Sequence, residues 1–384
     1  MYKLGSFIPA AKVCHQLRRR GIFYLQNILE KAECQTGTNF VGADTIARGF
    51  KSTTINQRRL SISTNMAQKV TMILDCDVGV DDATALMMAL GQSNVDLKAI
   101  TCVSGNVGVN KVSINALRVL QECNRLDIPV YVGATTSIIG TNRDAVCAHG
   151  DDGLGNIPKP KAPPPSDLLQ SEHAVQALIR MVNEHPHKIT LVAIGPLTNV
   201  ALAIRLDPLF TSKLKDLVIM GGNIKGRGTG FWTAEFNFGF DPEAAHIVLE
   251  ETKCPTLLVP LETCIDHGLS LDWFDELASK DLPRAQFMHA INKRSTTRCK
   301  EVQKLPTYMN ADGCAMVVAI DRDSVEESVH SVCKVELQGM LTRGQVVTHK
   351  LNTPWIPELK GVEVEVVTKF NMKLFYKMLN DAVV

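Results

Sequence analysis

From residue 70 onward, short apolar runs alternate with longer stretches in which apolar residues recur at helical spacing. The short runs predict β-strands at 70–76, 97–103, 129–133, 189–194, 216–220 and 256–260. Helical spacing follows most of them, as at 82–91, 111–123 and 197–204. Alternation of this kind requires parallel strands joined by crossover helices. We therefore predict an α/β fold with an open, mostly parallel, Rossmann-like sheet flanked by helices.

The last third of the chain has a different pattern. Two β-rich runs, 332–338 and 363–368, precede an amphipathic helix at about 371–380, which indicates an edge addition to the sheet. The segment from Asn156 to Ser166 is rich in Pro, Lys and Gly and predicts a surface loop or lid. In parallel sheets ligands bind beyond the carboxyl ends of the strands, so the residues that follow each run are the functional candidates.

Composition excludes several classes of protein. The chain has 384 residues, 45% of them hydrophobic, and a formal net charge of +1, which favours a globular protein over a disordered one and gives no electrostatic reason to bind nucleic acid. No apolar run approaches the roughly 20 residues that span a membrane. Eleven cysteines occur without a C-x-x-C pair, so zinc and redox motifs are not supported. A reducing, cytoplasmic compartment fits best.

Basic residues are concentrated at the start of the chain. Residues 1–65 contain ten Lys or Arg but only Glu30, Glu33 and Asp44 as acids. We predict that 1–65 is a basic extension, either disordered or a targeting segment, and that 66–384 is the folded domain. A mitochondrial location through this extension is the alternative to a cytoplasmic one.

The end of the first predicted strand carries an unusual number of acids. Asp75, Asp77, Asp81 and Asp82 fall within eight residues, where the strand becomes a helix. Like charges so close repel, and all can ionise only if a cation or several donors compensate them. One aspartate capping the helix is the simpler interpretation, but four are too many for capping. A group of carboxylates indicates a hard cation, Ca²⁺ or Mg²⁺, and not zinc.

Other strand ends offer further polar groups. Asn106 follows the second strand, where a turn residue is the simpler interpretation. Gly195-Pro196 opens the helix after the fourth and leaves the carbonyl of Ile194 free to ligate a cation. Glu235 and Asn237 follow a glycine-rich loop and would point the same way in an extended segment. Asp312 stands at the start of an apolar helix, where it could simply be a cap.

These motifs together resemble one enzyme family. Asp75-x-Asp77-x-Gly79-x-Asp81-Asp82-Ala83 is similar to the signature that opens inosine/uridine-preferring nucleoside hydrolases, and the chain repeats that family's other landmarks in order. These are Val103-Ser104-Gly105-Asn106, His149-Gly150-Asp151-Asp152-Gly153, Gly195-Pro196-Leu197-Thr198-Asn199, Ala234-Glu235-Phe236-Asn237 and Asp241-Pro242-Glu243. The resemblance covers about residues 68 to 384.

The resemblance implies hydrolysis of the N-glycosidic bond of ribonucleosides by a homodimer or homotetramer with one bound Ca²⁺. It implies that Asp77, Asp82, the main-chain carbonyl of Ile194 and Asp312 hold the ion. It further implies that Asp77 is the general base, and that the ribose hydroxyls are gripped by Asp81, Asn106, Glu235 and Asn237.

The chain departs from the best-known branch of the family at the leaving base. That branch has a histidine directly before the last metal-binding aspartate, where this chain has Ala311. Loss of a general acid costs roughly 10²- to 10⁴-fold in rate. His149, Trp232 and Tyr308 are the candidates to act on the base, by proton donation or stacking, and core packing is the simpler interpretation for the last two.

Two other functions are compatible with parts of the pattern. Thr229 stands near the expected place of a sugar-contacting Asn, so with Ala311 it favours a nucleoside-binding homologue with impaired catalysis. An apolar strand that ends in Asp75-x-Asp77 also resembles the first motif of haloacid-dehalogenase-type phosphatases. That interpretation leaves Asp81, Asp82 and Glu235 without a role.

Overall fold

The computed structural model describes residues 69–140, 148–158, 164, 166–348 and 360–384. The predicted basic extension at 1–65 and part of the predicted loop at 156–166 lie outside the described residues. Within the described part, no helix combines the length and the apolar character that crossing a membrane requires.

A ten-stranded sheet forms the centre of the described structure. Its strand order is β11-β10-β12-β7-β6-β5-β1-β2-β3-β4; every pair from β12 to β4 is parallel, and β10 is antiparallel to both neighbours. Strands β8 and β9 form a separate antiparallel pair. The strands are β1 Val70–Cys76, β2 Val95–Cys102, β3 Val130–Val132, β4 Leu169–Gln170, β5 Ile189–Ala193, β6 Asp216–Met220, β7 Thr256–Val259, β8 Leu269–Ser270, β9 Thr307–Tyr308, β10 Val325–Val335, β11 Val346–Thr348 and β12 Glu363–Phe370.

Helices cover both faces of this sheet. Alternate residues of β1 point in opposite directions, so Met72 and Leu74 pack into one hydrophobic cluster and Ile73 into the other. Helices α3, α4 and α6 pack on the Ile73 face, and α1, α2 and α7 to α11 pack on the other. The helices are α1 Val80–Gly91, α2 Val109–Glu122, α3 Ala174–Glu184, α4 Thr198–Leu206, α5 Phe236–Phe240, α6 Pro242–Glu251, α7 Leu261–Asp266, α8 Leu271–Ser279, α9 Pro283–Thr297, α10 Ala311–Ile320 and α11 Met372–Asp381.

The predicted α/β fold is confirmed, and the largest difference lies at the edge of the sheet. Strand β10 begins at Val325 rather than at 332, because its first half is exposed and carries polar residues that hide the strand pattern. It pairs antiparallel with β12 over most of its length, so the two late strands do form the expected edge addition.

One buried amide ties the carboxyl ends of the central strands together. Asn199, in the first turn of α4, donates to Asp75 Oδ1 at 2.8 Å and to the Cys102 carbonyl at 3.0 Å. Its own Oδ1 accepts from the Ala134 N–H at 2.9 Å. Thr101 donates to the same Asp75 oxygen at 2.5 Å. Asn199 therefore links β1, β2 and the segment after β3 at the edge where the functional candidates lie.

We predict that Asn199→Ala lowers the free energy of unfolding by about 2 to 4 kcal/mol, because it leaves buried groups on three segments without partners. Urea unfolding measures the change. The matched control is Asn183→Ala, since Asn183 is exposed and bonds only to surface groups, and its loss should stay within about 0.5 kcal/mol. Equal losses in the two variants would contradict this role for Asn199.

Candidate active site

Strand β1 and helix α1 together fold the first acidic motif into a compact turn. Asp82 lies in the first turn of α1, and its Oδ2 accepts the Gly79 N–H at 2.8 Å. Its Oδ1 accepts the Asp77 N–H at 3.2 Å. Asp82 thus accepts the backbone N–H groups of Asp77 and of the helix cap Gly79. The side chains of Asp77 and Asp81 are left for other partners.

The end of β2 adds Asn106 to the same place. Its backbone N–H donates to Asp77 Oδ2 at 2.7 Å, and its side-chain amide donates to Asp82 Oδ2 at 3.2 Å. Asn106 is therefore more than a turn residue, because it contacts two of the acids. Gly105 allows this approach, since a side chain there would overlap Asp77 Oδ2.

Helix α10 brings the last aspartate to the cluster from more than 200 residues away in the chain. The cap of α10 is Asn310, which accepts the Gly313 N–H at 3.0 Å, so Asp312 is not the cap. Carboxylate oxygens of Asp81, Asp82 and Asp312 lie within 4.8 Å of one another. Asp77 joins them, because its backbone N–H donates to Asp82 Oδ1 at 3.2 Å and Asn106 contacts the carboxylates of both Asp77 and Asp82. Asp77, Asp81, Asp82 and Asp312 thus lie together. Asp75, the remaining acid of the first motif, lies apart from them and accepts from Thr101 and Asn199.

Burial and mutual repulsion raise the pKa of these acids. Burial raises the pKa of Asp82 to about 6, with repulsion from Asp81 as the second cause. Burial and the charge of Asp82 raise the pKa of Asp77 well above its usual range, and burial and the charge of Asp81 do the same for Asp312. Without a cation, burial and mutual repulsion therefore oppose full ionisation of the cluster.

The donor set fits a hard divalent cation. It consists of carboxylate oxygens, and Asp81 Oδ1 is buried and accepts no hydrogen bond from the described residues. Such an oxygen needs a proton, a hydroxyl group or a cation. Oxygen-only sites of this kind suit Ca²⁺ or Mg²⁺ rather than zinc.

Ile194, Glu235 and Asn237 lie at the neighbouring strand ends, but two of them differ from expectation. Glu235 and Asn237 are not in an extended segment; Glu235 caps α5, and Asn237 lies within it. Asn237 donates from Nδ2 to the Ile194 carbonyl at 2.9 Å and to the Met220 carbonyl at 3.2 Å. The Ile194 carbonyl is thus not free of partners, although its second lone pair can still meet a cation.

Three backbone N–H groups hold the Glu235 carboxylate. Oε1 accepts from Asn237 at 2.9 Å, and Oε2 accepts from Gly222 at 2.8 Å and Phe238 at 3.2 Å. Burial raises the pKa of Glu235 to about 7, and these donors oppose the shift. The side chain is therefore fixed in direction.

His149 lies beside the first acidic motif with its ring orientation set by the backbone. Its Nδ1 accepts the Val80 N–H at 3.0 Å, so Nδ1 carries the lone pair and the neutral ring has its proton on Nε2. Asp81 Oδ1 is 3.6 Å from the same Nδ1, too far for a hydrogen bond. Only Nε2 of this histidine can therefore donate a proton.

The other candidates for contact with the base have different surroundings. Ala311 is buried and contributes no polar side chain. Tyr308 is 6% exposed and packs edge-on against Phe274, as core packing predicts. Trp232 is 79% exposed, so core packing is wrong for this residue. Thr229 accepts the Phe236 N–H through its hydroxyl group and thereby helps to hold the start of α5.

The sequence motifs missed two buried polar residues that hold the glycine-rich loop. Asn223 donates to the carbonyls of Arg227 and Thr233, both at 2.5 Å. Glu262 accepts from two backbone N–H groups of the same loop. The signal for Glu262 is its position, since it follows the apolar run of β7 at the functional edge of the sheet.

A family comparison agrees with this geometry. The family model described as inosine-uridine preferring nucleoside hydrolase matches residues 72–377. An inosine-uridine preferring nucleoside hydrolase of Leishmania major is 34% identical over 315 residues, which are 81% of this chain and 96% of that protein. A pyrimidine-specific ribonucleoside hydrolase RihA of Enterobacter is 43% identical over 292 residues, which are 72% of this chain and 87% of that protein.

Solved structures show the same similarity. The plant nucleoside hydrolase PpNRh1 superposes with a TM-score of 0.76 at 29% identity, over 82% of this chain and 98% of that chain. An inosine-guanosine nucleoside hydrolase superposes with a TM-score of 0.73 at 31% identity, again over 82% of this chain and 98% of the other.

We predict that the metal-free protein loses stability as pH rises from about 4.5 to about 7. Unfolded carboxyl groups ionise near pH 4. In the folded protein burial raises the pKa of Asp75 and Glu235 to about 7 and that of Asp82 to about 6. The folded state therefore binds more protons in this window, and rising pH favours unfolding.

Urea unfolding in EDTA at several pH values measures this effect. Added Ca²⁺ should restore stability most strongly at about pH 7, where the acids must ionise together. Stability that rises with pH across the same window in EDTA would contradict the raised pKa values of Asp75, Asp82 and Glu235.

Proposed function

Because the chain belongs to the inosine-uridine preferring nucleoside hydrolase family, it is an enzyme that hydrolyses nucleosides, and we propose that it does so with Ca²⁺ on ribonucleosides such as inosine and uridine. The products are the free base and ribose. The observation that carries this proposal is the buried cluster of Asp77, Asp81, Asp82 and Asp312 beside Asn106.

The proposed ligands of the ion are Asp77, Asp82, Asp312 and the carbonyl of Ile194. In support, carboxylate oxygens of Asp81, Asp82 and Asp312 lie within 4.8 Å of one another. Asn106 contacts both Asp77 and Asp82, and Asn237 brings a polar contact to the Ile194 carbonyl. Bound Ca²⁺ would supply positive charge that lets these carboxylates ionise together and that attracts the hydroxyl groups of ribose.

Asp77 is the proposed general base. Departure of the base gives the sugar an oxocarbenium-like character, so the site must stabilise positive charge and deliver water to one face of the ring. The Asn106 N–H holds Asp77 Oδ2 at 2.7 Å, which fixes the direction of the carboxylate. Once ionised, Asp77 can take a proton from water, and its neighbours stabilise the positive ring.

We propose that the ribose hydroxyl groups are held by hydrogen bonds to four residues: Asp81, Asn106, Glu235 and Asn237. The unpaired Oδ1 of Asp81 is an acceptor for one hydroxyl group. Glu235 is held rigidly by backbone donors, so it loses little conformational freedom on binding. Asn237 keeps its amide oxygen for the sugar, while its nitrogen contacts the protein.

His149 is the proposed proton donor to the leaving base in place of the histidine that is absent at Ala311. The bond from Val80 places the proton on Nε2, so the ring can donate from that atom. The ring is 20% exposed, and its Nδ1 lies 3.6 Å from Oδ1 of Asp81, one of the residues proposed to hold the ribose.

Family membership overturns the phosphatase alternative. The assays below distinguish an active hydrolase from the second alternative, a nucleoside-binding homologue without turnover. Assembly as a homodimer or homotetramer and a cytoplasmic location stay predictions. Light scattering and fractionation of the full chain test them.

We predict that Asp77→Asn lowers kcat for inosine and uridine by roughly 10²- to 10⁴-fold, because an amide cannot act as the base. Released ribose is measured with and without a chelator, and the chelator should abolish release by the unsubstituted enzyme. The control is Asp127→Asn, since Asp127 is exposed and pairs only with Arg125. Tight nucleoside binding without ribose release in the unsubstituted protein would overturn the proposal, and so would release of phosphate from phosphomonoesters.

We predict that His149→Gln lowers kcat for inosine and uridine by roughly 10²-fold or more. The same variant should lower kcat for 4-nitrophenyl riboside by less than about threefold, since nitrophenolate leaves without a proton donor. Glutamine can still accept the Val80 N–H, so the turn is preserved. His330→Ala, on the exposed part of β10, is the control. Equal losses on nucleosides and on the nitrophenyl substrate would exclude His149 as the acid.

A further inference from the structure

The turn that follows β6 is held by a buried glutamate from a neighbouring element. Glu262, in the first turn of α7, is 2% exposed. Its Oε2 accepts the Ile224 N–H at 2.7 Å, and its Oε1 accepts the Lys225 N–H at 2.6 Å. Both oxygens of one carboxylate thus bind two successive backbone donors, and the turn cannot move without breaking a charge-assisted hydrogen bond.

The same turn provides a donor to Glu235. The Gly222 N–H donates to Glu235 Oε2 at 2.8 Å, two residues before the first N–H that Glu262 holds. The Gly222 carbonyl accepts the Leu261 N–H at 3.0 Å, so the residue beside Glu262 holds the other side of the same peptide segment. Gly222 has a φ of +65°, where other residues are strained. This backbone segment therefore joins the two glutamates.

A glutamine at position 262 cannot replace the carboxylate. An amide offers one oxygen, and its NH₂ group would face a backbone N–H that is itself a donor. Either the Ile224 or the Lys225 N–H, both in partly buried hydrogen bonds, would then lose the Glu262 oxygen, and the turn would shift to find another acceptor. The shift would move Gly222 and change the direction of the Glu235 carboxylate.

We propose that Glu262 is a positioning residue for the hydrolysis: it fixes the turn at Gly222–Lys225 and thereby aims Glu235 at the ribose. The inference rests on the proposed function, in which Glu235 grips the sugar. Glu262 does not contact the substrate, and its effect passes through the backbone of the turn. The carboxylate of Glu262 hydrogen-bonds to this turn and not to the acid cluster on β1 and α10.

A double-mutant cycle of Glu262→Gln and Glu235→Gln tests the proposal. We expect Glu262→Gln to lower kcat/KM for inosine and uridine by about 10- to 100-fold in the unsubstituted enzyme. In the Glu235→Gln background the same change should lower it by less than about threefold, because the group that it positions is already lost. The apparent affinity for Ca²⁺, measured by calorimetry, should change by less than about threefold.

The outcomes separate the two proposals. Equal loss from Glu262→Gln in both backgrounds would overturn the positioning role. A Glu235→Gln variant with full activity would instead overturn the proposed sugar grip. Asn106→Ala changes a residue of the acid cluster, so we expect its fold-loss in kcat/KM and that of Glu262→Gln to multiply in the double variant. Strong coupling between these two substitutions would also contradict the proposed path.

Two further variants distinguish the positioning role of Glu262 from a general effect on folding. Glu262→Asp keeps both acceptor oxygens on a shorter side chain, and we expect it to recover at least about threefold of the activity that Glu262→Gln loses. If Glu262→Gln fails to fold, Glu262→Asp replaces it in the double-mutant cycle. Glu250→Gln removes a carboxylate that pairs with Lys334, away from the turn, and should keep activity within about twofold. Failure of Glu262→Asp to recover any activity would contradict the carboxylate requirement.

Discussion

The site depends on the placement of several buried carboxylates at one edge of a parallel sheet. Taken out of water, each acid resists ionisation, and each ionised neighbour resists it further. Asp77, Asp82 and Asp312 consequently have raised pKa values when no cation compensates them. Such a cluster opposes folding at neutral pH, and binding of the proposed cation would offset that cost.

The surrounding fold limits this cost by directing hydrogen-bond donors at some of the carboxylate oxygens. Asp82 accepts the N–H groups at the start of α1, and Asp77 accepts the Asn106 N–H. Deeper in the sheet, Asn199 and Thr101 satisfy one oxygen of Asp75. The rest of the central sheet, packed between two hydrophobic clusters, provides the rigidity that holds these groups in place.

The site has two halves that come from different strands. The acid cluster comes from β1, β2 and the distant α10, whereas the second half comes from the turns after β6 and β7. In the second half, Glu235 and Glu262 are also buried carboxylates, but backbone N–H groups alone compensate them. In the second half the compensation comes from fixed peptide dipoles, whereas in the first half the proposed cation would add to the few backbone donors present.

The sequence by itself determined the α/β fold and the strand ends that carry polar groups, because hydrophobic periodicity and acidic residues are local properties of the chain. It could not reveal that Asn310 caps α10 and leaves Asp312 free, or that Glu235 caps a helix, since both depend on local backbone geometry. Only the tertiary structure brought Glu262 against a loop some 40 residues earlier and set the tautomer of His149 through Val80. Contacts between residues far apart in the chain leave no periodic signal, so packing alone decides them.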